Sequence, residues 1–262
     1  MDLQVEDKVF MVAASSKGLG YGIARELAKN GASVCIASRT RSDIDAVAQQ
    51  LRDETGSVVH ALEFDAADAN SITHWMEEVK STFGKVDGLV VNAGGPPPGN
   101  FNDFTDDDWL AAFNLTLMSA VRLIRGVLPL MPAQGGSILT ITSMSVKEPV
   151  DRLLLSNIFR SGVTSLVKSL ATELATKGIR VNNLMPGRID TDRVRSLDKN
   201  TAEIQGVSVI EVKKNIAAGI PLGRYGTIEE FGSIAAFLLS PRASYITGAS
   251  LAVDGGIMKT VW

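Results

Sequence analysis

The segment "AASSKGLG", from Ala13 to Gly20, lies between an apolar run and a helical pattern and has the composition of a phosphate-binding loop. In such a turn, backbone N–H groups and the helix N-terminus hold a pyrophosphate, while Gly18 and Gly20 permit the tight turn. Arg39 follows Gly20 by 19 residues, where a dinucleotide fold usually has an acidic residue for the ribose 2′-hydroxyl. A guanidinium there can bind a 2′-phosphate bidentately, and Lys17 adds a second cation. The pattern favours NADP(H) over NAD(H).

This loop is weak evidence by itself, because an ordinary turn between a strand and a helix, with Lys17 and Arg39 as solvated surface charges, would have the same residues. The flanking elements support the dinucleotide interpretation. Short β-branched runs alternate with longer segments of helical period, which is typical of a parallel sheet covered on both faces. The seven candidate strands are "KVFMVAA", "SVCIAS", "SVVHALEFD", "GLVVNAG", "SILTITS", "IRVNNLMPG" and "ASLAVDGG".

We therefore predict an α/β protein in which residues 1–262 form a single-domain Rossmann fold. Its sheet is expected to be doubly wound, seven-stranded and parallel, with helices on both faces. Thr105 is the predicted N-cap of a long helix, Thr227 with Glu230 forms a predicted capping box, and Gly31 is placed at the end of the first helix.

Composition narrows the class of partner. The formal charge is −3, the pI is near 5.5, and Lys and Arg are scattered, which argues against nucleic acid and anionic membranes. The single cysteine, Cys35, excludes an intrachain disulfide and argues against a zinc site. The acidic start lacks the charge of a signal peptide, and no apolar run approaches the roughly 18 to 20 residues that span a bilayer. We expect a cytoplasmic protein that acts on small molecules, without a metal.

The order and spacing of several segments resemble the short-chain dehydrogenase/reductase family over nearly the whole chain. The matching segments are "AASSKGLG", "FDAAD", "NAG", "FNLT", "ITS", "RVNNLMPGRIDT", "PLGRYGTIEE" and "YITGASLAVDGG". The last two look most like the 3-oxoacyl-acyl-carrier-protein reductase branch. One departure is that the family's Thr-Gly at the start of the loop is Ala13-Ala14 here. A methyl group at Ala14 would crowd a pyrophosphate if the backbone there is left-handed.

The resemblance assigns cofactor contacts. It implies that Asp65 lies against adenine, that Asn92 to Gly94 run along the adenosine ribose, and that Ile189 and Thr191 lie near the nicotinamide carboxamide. The complete set of expected cofactor-binding residues is Ala14, Ser15, Ser16, Lys17, Gly18, Leu19, Gly20, Arg39, Asp65, Asn92, Ala93, Gly94, Arg160, Pro186, Gly187, Ile189 and Thr191.

The resemblance also implies a catalytic tetrad of Asn, Ser, Tyr and Lys, of which Asn114 and Ser143 match. The family's tyrosine follows its serine by 13 residues and its lysine comes four later, which gives Ser156 and Arg160. No tyrosine lies between Ser143 and Arg160, and the enoyl-reductase spacing leads to Leu153. The chain is therefore an atypical member that lacks the Tyr-x-x-x-Lys pair.

These replacements change the proton chemistry. A phenol has a pKa of about 10, whereas an alkyl hydroxyl is a far weaker acid, comparable to water, so Ser156 is expected to be a poor direct donor. Arg160 keeps the charge for binding ribose, but with a pKa above about 12 it cannot shuttle a proton. We hypothesise that Lys147, four residues beyond Ser143, supplies the proton or an electrostatic clamp. The alternatives are an exposed, uninvolved Lys147, or a water held by Ser156.

A substrate flap is expected at about residues 188–219, after the "PG" turn, with the stiff "GGPPPG" loop as the opposite wall. Arg188, Arg193 and Arg195 in this flap could bind an anionic substrate, although solvated charges are commoner. The resemblance implies a homotetramer and a small-molecule carbonyl or alcohol substrate, for which an acyl-carrier-bound form and, from the flap arginines, an anionic form are both open. The leading interpretation is an NADP(H)-dependent oxidoreductase with altered proton-transfer groups. The main alternative is a catalytically weak NADP(H)-binding sensor on the same fold, and a third is another reaction on that fold, such as dehydration or epimerisation, in which tyrosine is not the acid.

Overall fold

A single seven-stranded parallel sheet forms the centre of the molecule, as predicted. The computed structural model describes residues 1–261. The strands are β1 (Val9–Ala13), β2 (Ser33–Ser38), β3 (Val59–Glu63), β4 (Gly88–Val91), β5 (Gly136–Ile141), β6 (Ile179–Pro186) and β7 (Ser250–Val253). Every pairing is parallel and the spatial order is β3-β2-β1-β4-β5-β6-β7. The order reverses between β1 and β4, and ligands bind at such a switch point in open α/β sheets.

Helices cover both faces of this sheet. They are α1 (Gly18–Lys29), α2 (Arg41–Thr55), α3 (Ala69–Phe83), α4 (Asp106–Phe113), α5 (Ser119–Val127), α6 (Leu154–Glu173), α7 (Asp192–Gln205), α8 (Val209–Ala218) and α9 (Ile228–Leu239). One apolar core, with Ile23, Leu27 and Phe231, packs α1, α2 and α9 against one face. The other core, with Trp75, Leu123 and Val163, packs α3, α5 and α6 against the opposite face. The doubly wound α/β class is thereby confirmed.

The caps predicted from sequence are present. Thr105 accepts a hydrogen bond from the Asp108 backbone at the start of α4, and Thr227 with Glu230 closes a capping box on α9. Gly31 lies one position beyond the cap of α1, with the left-handed φ of +82° that favours glycine.

One expectation about apolar segments needs correction. A continuous helical stretch from Asp106 to Leu130 comprises α4, a π-helical turn (Asn114–Met118), α5 and a 3₁₀ turn. It is long and apolar enough to span a bilayer, since an 18-residue window within it has a mean hydropathy of 1.3. Length and hydropathy alone do not distinguish a membrane span from a core helix. Here α5 packs against α3 and β4, and α4 packs against α6, so the stretch belongs to the layer that covers the sheet.

Candidate active site

A cavity of about 510 Å³ lies along the carboxyl ends of the strands, across the switch point between β1 and β4. This volume is within the range of small-molecule and cofactor sites. We call the part beside β1 and β2 the glycine-loop half and the part beside β5 and α6 the arginine half. The predicted residues that line the cavity are Ala14, Ser16, Lys17, Gly18, Leu19, Arg39, Asp65, Asn92, Ala93, Gly94, Ser143, Ser156, Arg160, Pro186, Gly187, Ile189 and Thr191.

Backbone-directed hydrogen bonds fix the glycine loop. The Ser15 hydroxyl is buried, donates to the Val12 carbonyl at 2.7 Å and accepts from the Ala37 amide at 3.1 Å. Asn92, just after β4, donates from Nδ2 to the carbonyl of Ala14 at 3.2 Å. These bonds tie three neighbouring strand ends together. The Ser15 side chain therefore holds the loop and is not among the residues that line the cavity, and its contact with the cofactor stays a prediction.

Close backbone approach explains the glycines of this loop. A Cβ at Gly20 would overlap the carbonyl oxygen of Ala14, and Gly18 has a φ of +61°. Gly20 acts by this approach and does not itself line the cavity. Ala14 also has a left-handed φ, +49°, a conformation that costs an L-residue roughly 1–2 kcal/mol. The loop therefore keeps the glycine-type backbone at a position where the side chain is a methyl group.

The glycine-loop half fits a dinucleotide with a 2′-phosphate. The N-terminus of α1 opens beside Gly18, and helix N-termini bind phosphate. Arg39 is exposed at the end of β2 and makes no ion pair within residues 1–261. No heavy atom lies within 4 Å of a Cβ built on Gly94, which leaves a flat open wall beside the cavity. Lys17 is already paired, with its Nζ 3.6 Å from Asp192 of α7, so Arg39 is the better candidate for the 2′-phosphate.

The arginine half contains the hydroxyls of Ser143 and Ser156 and the guanidinium groups of Arg160 and Arg193. Arg160 donates from Nε to the Ser156 hydroxyl at 3.1 Å, and from Nη1 to the carbonyls of Ile141 at 2.9 Å and Thr142 at 3.2 Å. The spacing of four residues places Ser156 and Arg160 on one face of α6. Ser143 caps a short 3₁₀ turn after β5, where its hydroxyl accepts from the Ser145 amide at 3.1 Å. Ser143 and Ser156 each accept one bond, and neither hydroxyl proton has an acceptor among the described residues.

Burial changes the acidity of Arg160. Desolvation of the guanidinium, together with the positive charge of nearby Arg193, lowers the pKa of Arg160 to about 10. Neutral pH is roughly three units below this pKa, so the guanidinium of Arg160 remains a cation. Arg160 consequently supplies a fixed positive charge next to a serine hydroxyl.

Two predicted catalytic residues do not line the cavity. Lys147 is exposed on the loop after the 3₁₀ turn and is not among the residues that line the cavity, and its role as proton donor stays a prediction. Asn114 begins the π-helical turn, where its Nδ2 donates to the Leu110 carbonyl at 3.1 Å and its Oδ1 accepts from Arg122 at 3.2 Å. The side chain of Asn114 is thus bonded within its own helical stretch, and the neighbouring Leu115 lines the cavity. The catalytic role of Asn114 stays a prediction.

The three arginines of the expected flap have different partners. Arg188 pairs with the buried Asp198 at 3.1 Å, and exposed Arg195 pairs with Asp190 and Asp192 at 2.6 and 2.7 Å. Arg193 has no carboxylate partner within residues 1–261, and its Nη2 donates to the carbonyl of Pro96 at 3.1 Å. Much of its side chain is exposed, but partial burial of the guanidinium lowers the pKa of Arg193. Only Arg193 therefore joins the flap to the "GGPPPG" wall.

Sequence reasoning missed several lining residues. Met144, Val150, Leu153 and Leu197 make the arginine half apolar around its charges, and they come from four separate segments. None belongs to a motif, because packing rather than local spacing brings them together. Leu153 is anchored by an adjacent contact, since the Gly99 amide donates to the Arg152 carbonyl at 2.6 Å. The proline-rich wall is thereby tied to the start of α6.

The fold, switch-point cavity and glycine loop define a dinucleotide-binding protein of the Rossmann class. A family model described as Enoyl-(Acyl carrier protein) reductase matches residues 13–258. A 3-oxoacyl-(acyl-carrier-protein) reductase of Chlamydia muridarum is 31% identical over 258 residues, 98% of this chain and 100% of the relative. The chain belongs to the short-chain dehydrogenase/reductase family.

Solved structures agree with this family. L-sorbose reductase from Gluconobacter frateurii, in complex with NADPH and L-sorbose, is similar with a TM-score of 0.95 and 32% identity, covering all of both chains. An NADPH-bound short-chain oxidoreductase from Pseudomonas aeruginosa, described as containing an atypical catalytic centre, has a TM-score of 0.88 and 28% identity, covering 98% of this chain and 100% of its own. The predicted family and fold are both confirmed.

Proposed function

We propose that this protein is an NADP(H)-dependent oxidoreductase that reduces a carbonyl, or oxidises the corresponding alcohol, with Ser156 and Arg160 in place of the family's tyrosine and lysine. The hydrogen bond from Arg160 Nε to the Ser156 hydroxyl carries this proposal. In this bond the Ser156 oxygen is the acceptor, so its proton remains available for a substrate, and the positive charge of Arg160 is in direct contact with Oγ. Relatives with NADPH in their structures support the choice of cofactor.

Bound NADPH would supply the hydride that reduces the carbonyl carbon. The residues of this chain then stabilise negative charge on the carbonyl oxygen. The Ser143 and Ser156 hydroxyls can donate hydrogen bonds to that oxygen, and the Arg160 charge favours it electrostatically in a site partly shielded from water. This oxyanion stabilisation replaces part of what an acidic phenol would do.

Proton delivery from serine is less unfavourable than its pKa suggests. The acceptor is a developing alkoxide whose conjugate acid is itself an alkyl alcohol, with a pKa close to that of the serine hydroxyl. Transfer from Ser156 to that alkoxide is therefore close to balanced. The Arg160 N–H that contacts Oγ stabilises the serine oxygen as it loses its proton, and solvent then reprotonates the hydroxyl. Arg160 remains protonated throughout.

The finer assignments belong to the same proposal. Residues 188–219 contain α7 and α8 and act as the substrate flap, since Arg193 and Asp192 of this segment reach the opposite walls of the cavity.

We also propose a homotetramer built through α4, α6 and the β7 region. Exposed apolar Leu110 and Ile158 on α4 and α6 support it. Light scattering would show a mass four times that of the chain, and a monomer would contradict the assembly.

NADPH binding followed by turnover tests this function. NADPH fluorescence titration should give saturable binding, and a panel of neutral ketones should yield at least one substrate whose reduction depends on Ser143. Ser143→Ala is the control variant, because it removes a hydroxyl from the cavity without altering the glycine loop. Tight NADPH binding without Ser143-dependent turnover would favour the cofactor sensor instead. Absence of NADPH binding would contradict both functions.

A further inference from the structure

Arg160 and Arg193 are two cationic side chains that share the arginine half of the cavity and that have no carboxylate partner within residues 1–261. The other cations that line the cavity behave differently. Lys17 is paired with Asp192 and Arg188 is paired with Asp198, while Arg39 lies in the glycine-loop half. Two like charges without a carboxylate partner repel each other, and this repulsion contributes to the lowered pKa of Arg160. An anion between them would relieve that cost.

The free donors of these guanidinium groups suit an anion. Arg160 uses Nε and Nη1 for Ser156 and for backbone carbonyls, so its Nη2 has no partner among the described residues. Arg193 uses only Nη2, for the Pro96 carbonyl, and its remaining N–H groups are available. Guanidinium N–H groups recognise carboxylate and phosphate oxygens in a paired geometry.

The position of this pair excludes the cofactor's own phosphates as its natural ligand. A 2′-phosphate would be held by Arg39 at the end of β2, and a pyrophosphate by the N-terminus of α1 after β1. Arg160 instead contacts the end of β5, and Arg193 lies over Gly95 and Pro96 after β4. In the strand order, β4 and β5 are on the other side of β1 from β2.

We infer that the substrate carries an anionic group, a carboxylate or a phosphate, close to its reacting carbonyl, and that Arg193 and the free edge of Arg160 bind it. The inference rests on the proposed function, because it names the substrate class of the same cavity. It argues against an acyl thioester, whose carbonyl has no charged neighbour. Arg193 thus determines specificity, while Arg160 serves both the anion and the reacting oxygen.

Matched substrate pairs test the inference. The carboxylate pair is 3-oxobutanoate against methyl 3-oxobutanoate, and the phosphate pair is dihydroxyacetone phosphate against dihydroxyacetone. We expect the charged member of one pair to exceed the neutral member by about 100-fold in kcat/KM. Arg193→Met should remove most of that preference, because kcat/KM should fall much further for the charged member than for the neutral member. Which pair shows the preference identifies the anion.

Two variants control for loss of structure. Arg195→Met removes a neighbouring flap arginine that does not line the cavity and should keep the preference. Arg193→Lys retains the charge and should keep part of it. A preference that survives in Arg193→Met, or an equal loss for both members of a pair, would overturn the assignment. So would a substantial rise in the NADPH Kd of Arg193→Met, because it would mean that Arg193 serves the cofactor.

Binding provides a readout that does not depend on turnover. With the NADPH-loaded protein, oxalate or inorganic phosphate should raise the Tm of the wild type in a concentration-dependent way, and should raise that of Arg193→Met much less. Equal shifts in both proteins would contradict the anion site even if a ketone is reduced. Arg193-dependent anion binding without any carbonyl reduction would instead contradict the proposed function and leave the anion site standing.

Discussion

The glycine-loop half and the arginine half of the cavity obtain their polar groups in different ways. In the first, Ser15 and Asn92 bond to backbone atoms, and ligand binding falls to amides and to one exposed guanidinium, Arg39. In the second, charged side chains from α6 and α7 meet over the ends of β4 and β5. A site made of backbone groups tolerates few changes of backbone conformation, but its chemistry depends little on which side chains are present. A site made of side chains can change its chemistry by substitution, as Ser156 and Arg160 illustrate.

The largest expected effect comes from disturbing the backbone of the glycine-loop half. Gly20→Ala places a methyl group on the carbonyl of Ala14, so we expect NADPH affinity to fall at least about 100-fold, with a lower Tm. Gly219→Ala is the matched control. Its added Cβ would meet only ordinary contacts, at 3.4 Å, and its φ is −82°. NADPH titration that gives the same Kd for both variants would show that the loop does not hold the cofactor.

Arg39 should affect cofactor affinity only through the 2′-phosphate of NADPH. Removal of its charge-assisted hydrogen bonds in Arg39→Ala costs about 1.5–3 kcal/mol, equivalent to roughly 10- to 100-fold in the NADPH Kd. The affinity for NADH, which lacks the 2′-phosphate, should hardly change. Arg41→Ala is the control, because Arg41 pairs with Asp45 and does not line the cavity. Equal losses for both cofactors would argue for a general effect on the fold.

The arginine half predicts an alkaline limit on activity. Because Arg160 must be charged, kcat/KM should reach its full value below the Arg160 pKa of about 10 and should fall as pH rises through that value. Arg193→Met removes a like charge, so the limb should move to higher pH, while burial keeps it below the ordinary arginine value. The pH profile of a neutral ketone between about pH 7 and 11 measures this limb. A limb that stays in place, or that moves downward, would contradict the coupling of the two arginines.

The smallest effect concerns the left-handed residue of the glycine loop. Ala14→Gly relieves a φ of +49° but increases the entropy of the unfolded chain, so the net gain in the free energy of unfolding is about 1 kcal/mol or less. For a chain of this size, that corresponds to a rise in Tm of about 2–4 °C at most. Calorimetry should show the rise for Ala14→Gly and a decrease for Ala13→Gly, whose Ala13 is a buried strand residue. A lower Tm for Ala14→Gly would show that the methyl group packs favourably.

The same difference between the halves explains what sequence could predict. The seven strands, the caps at Thr105 and Thr227 and the glycine loop depend on local periodicity and turn chemistry, which can be read from adjacent residues. The roles of Lys147 and Asn114 depended on where a side chain points after folding. Lys147 faces solvent, and the π-helical turn commits Asn114 to bonds within its own helical stretch. The meeting of Arg160 with Arg193, 33 residues apart, has no local signal in the sequence.

Arg160 has a role both in the proposed chemistry at the carbonyl oxygen and in the proposed anion site. The most direct test is a stopped-flow measurement of NADPH oxidation under single-turnover conditions, with wild type, Ser156→Ala and Arg160→Met, each saturated with NADPH. We predict that both variants bind NADPH within about tenfold of wild type. The reduction rate should fall about 100-fold or more in Arg160→Met, and by a smaller factor in Ser156→Ala. Unchanged rates in both variants would contradict the proposal that Ser156 and Arg160 act at the carbonyl oxygen.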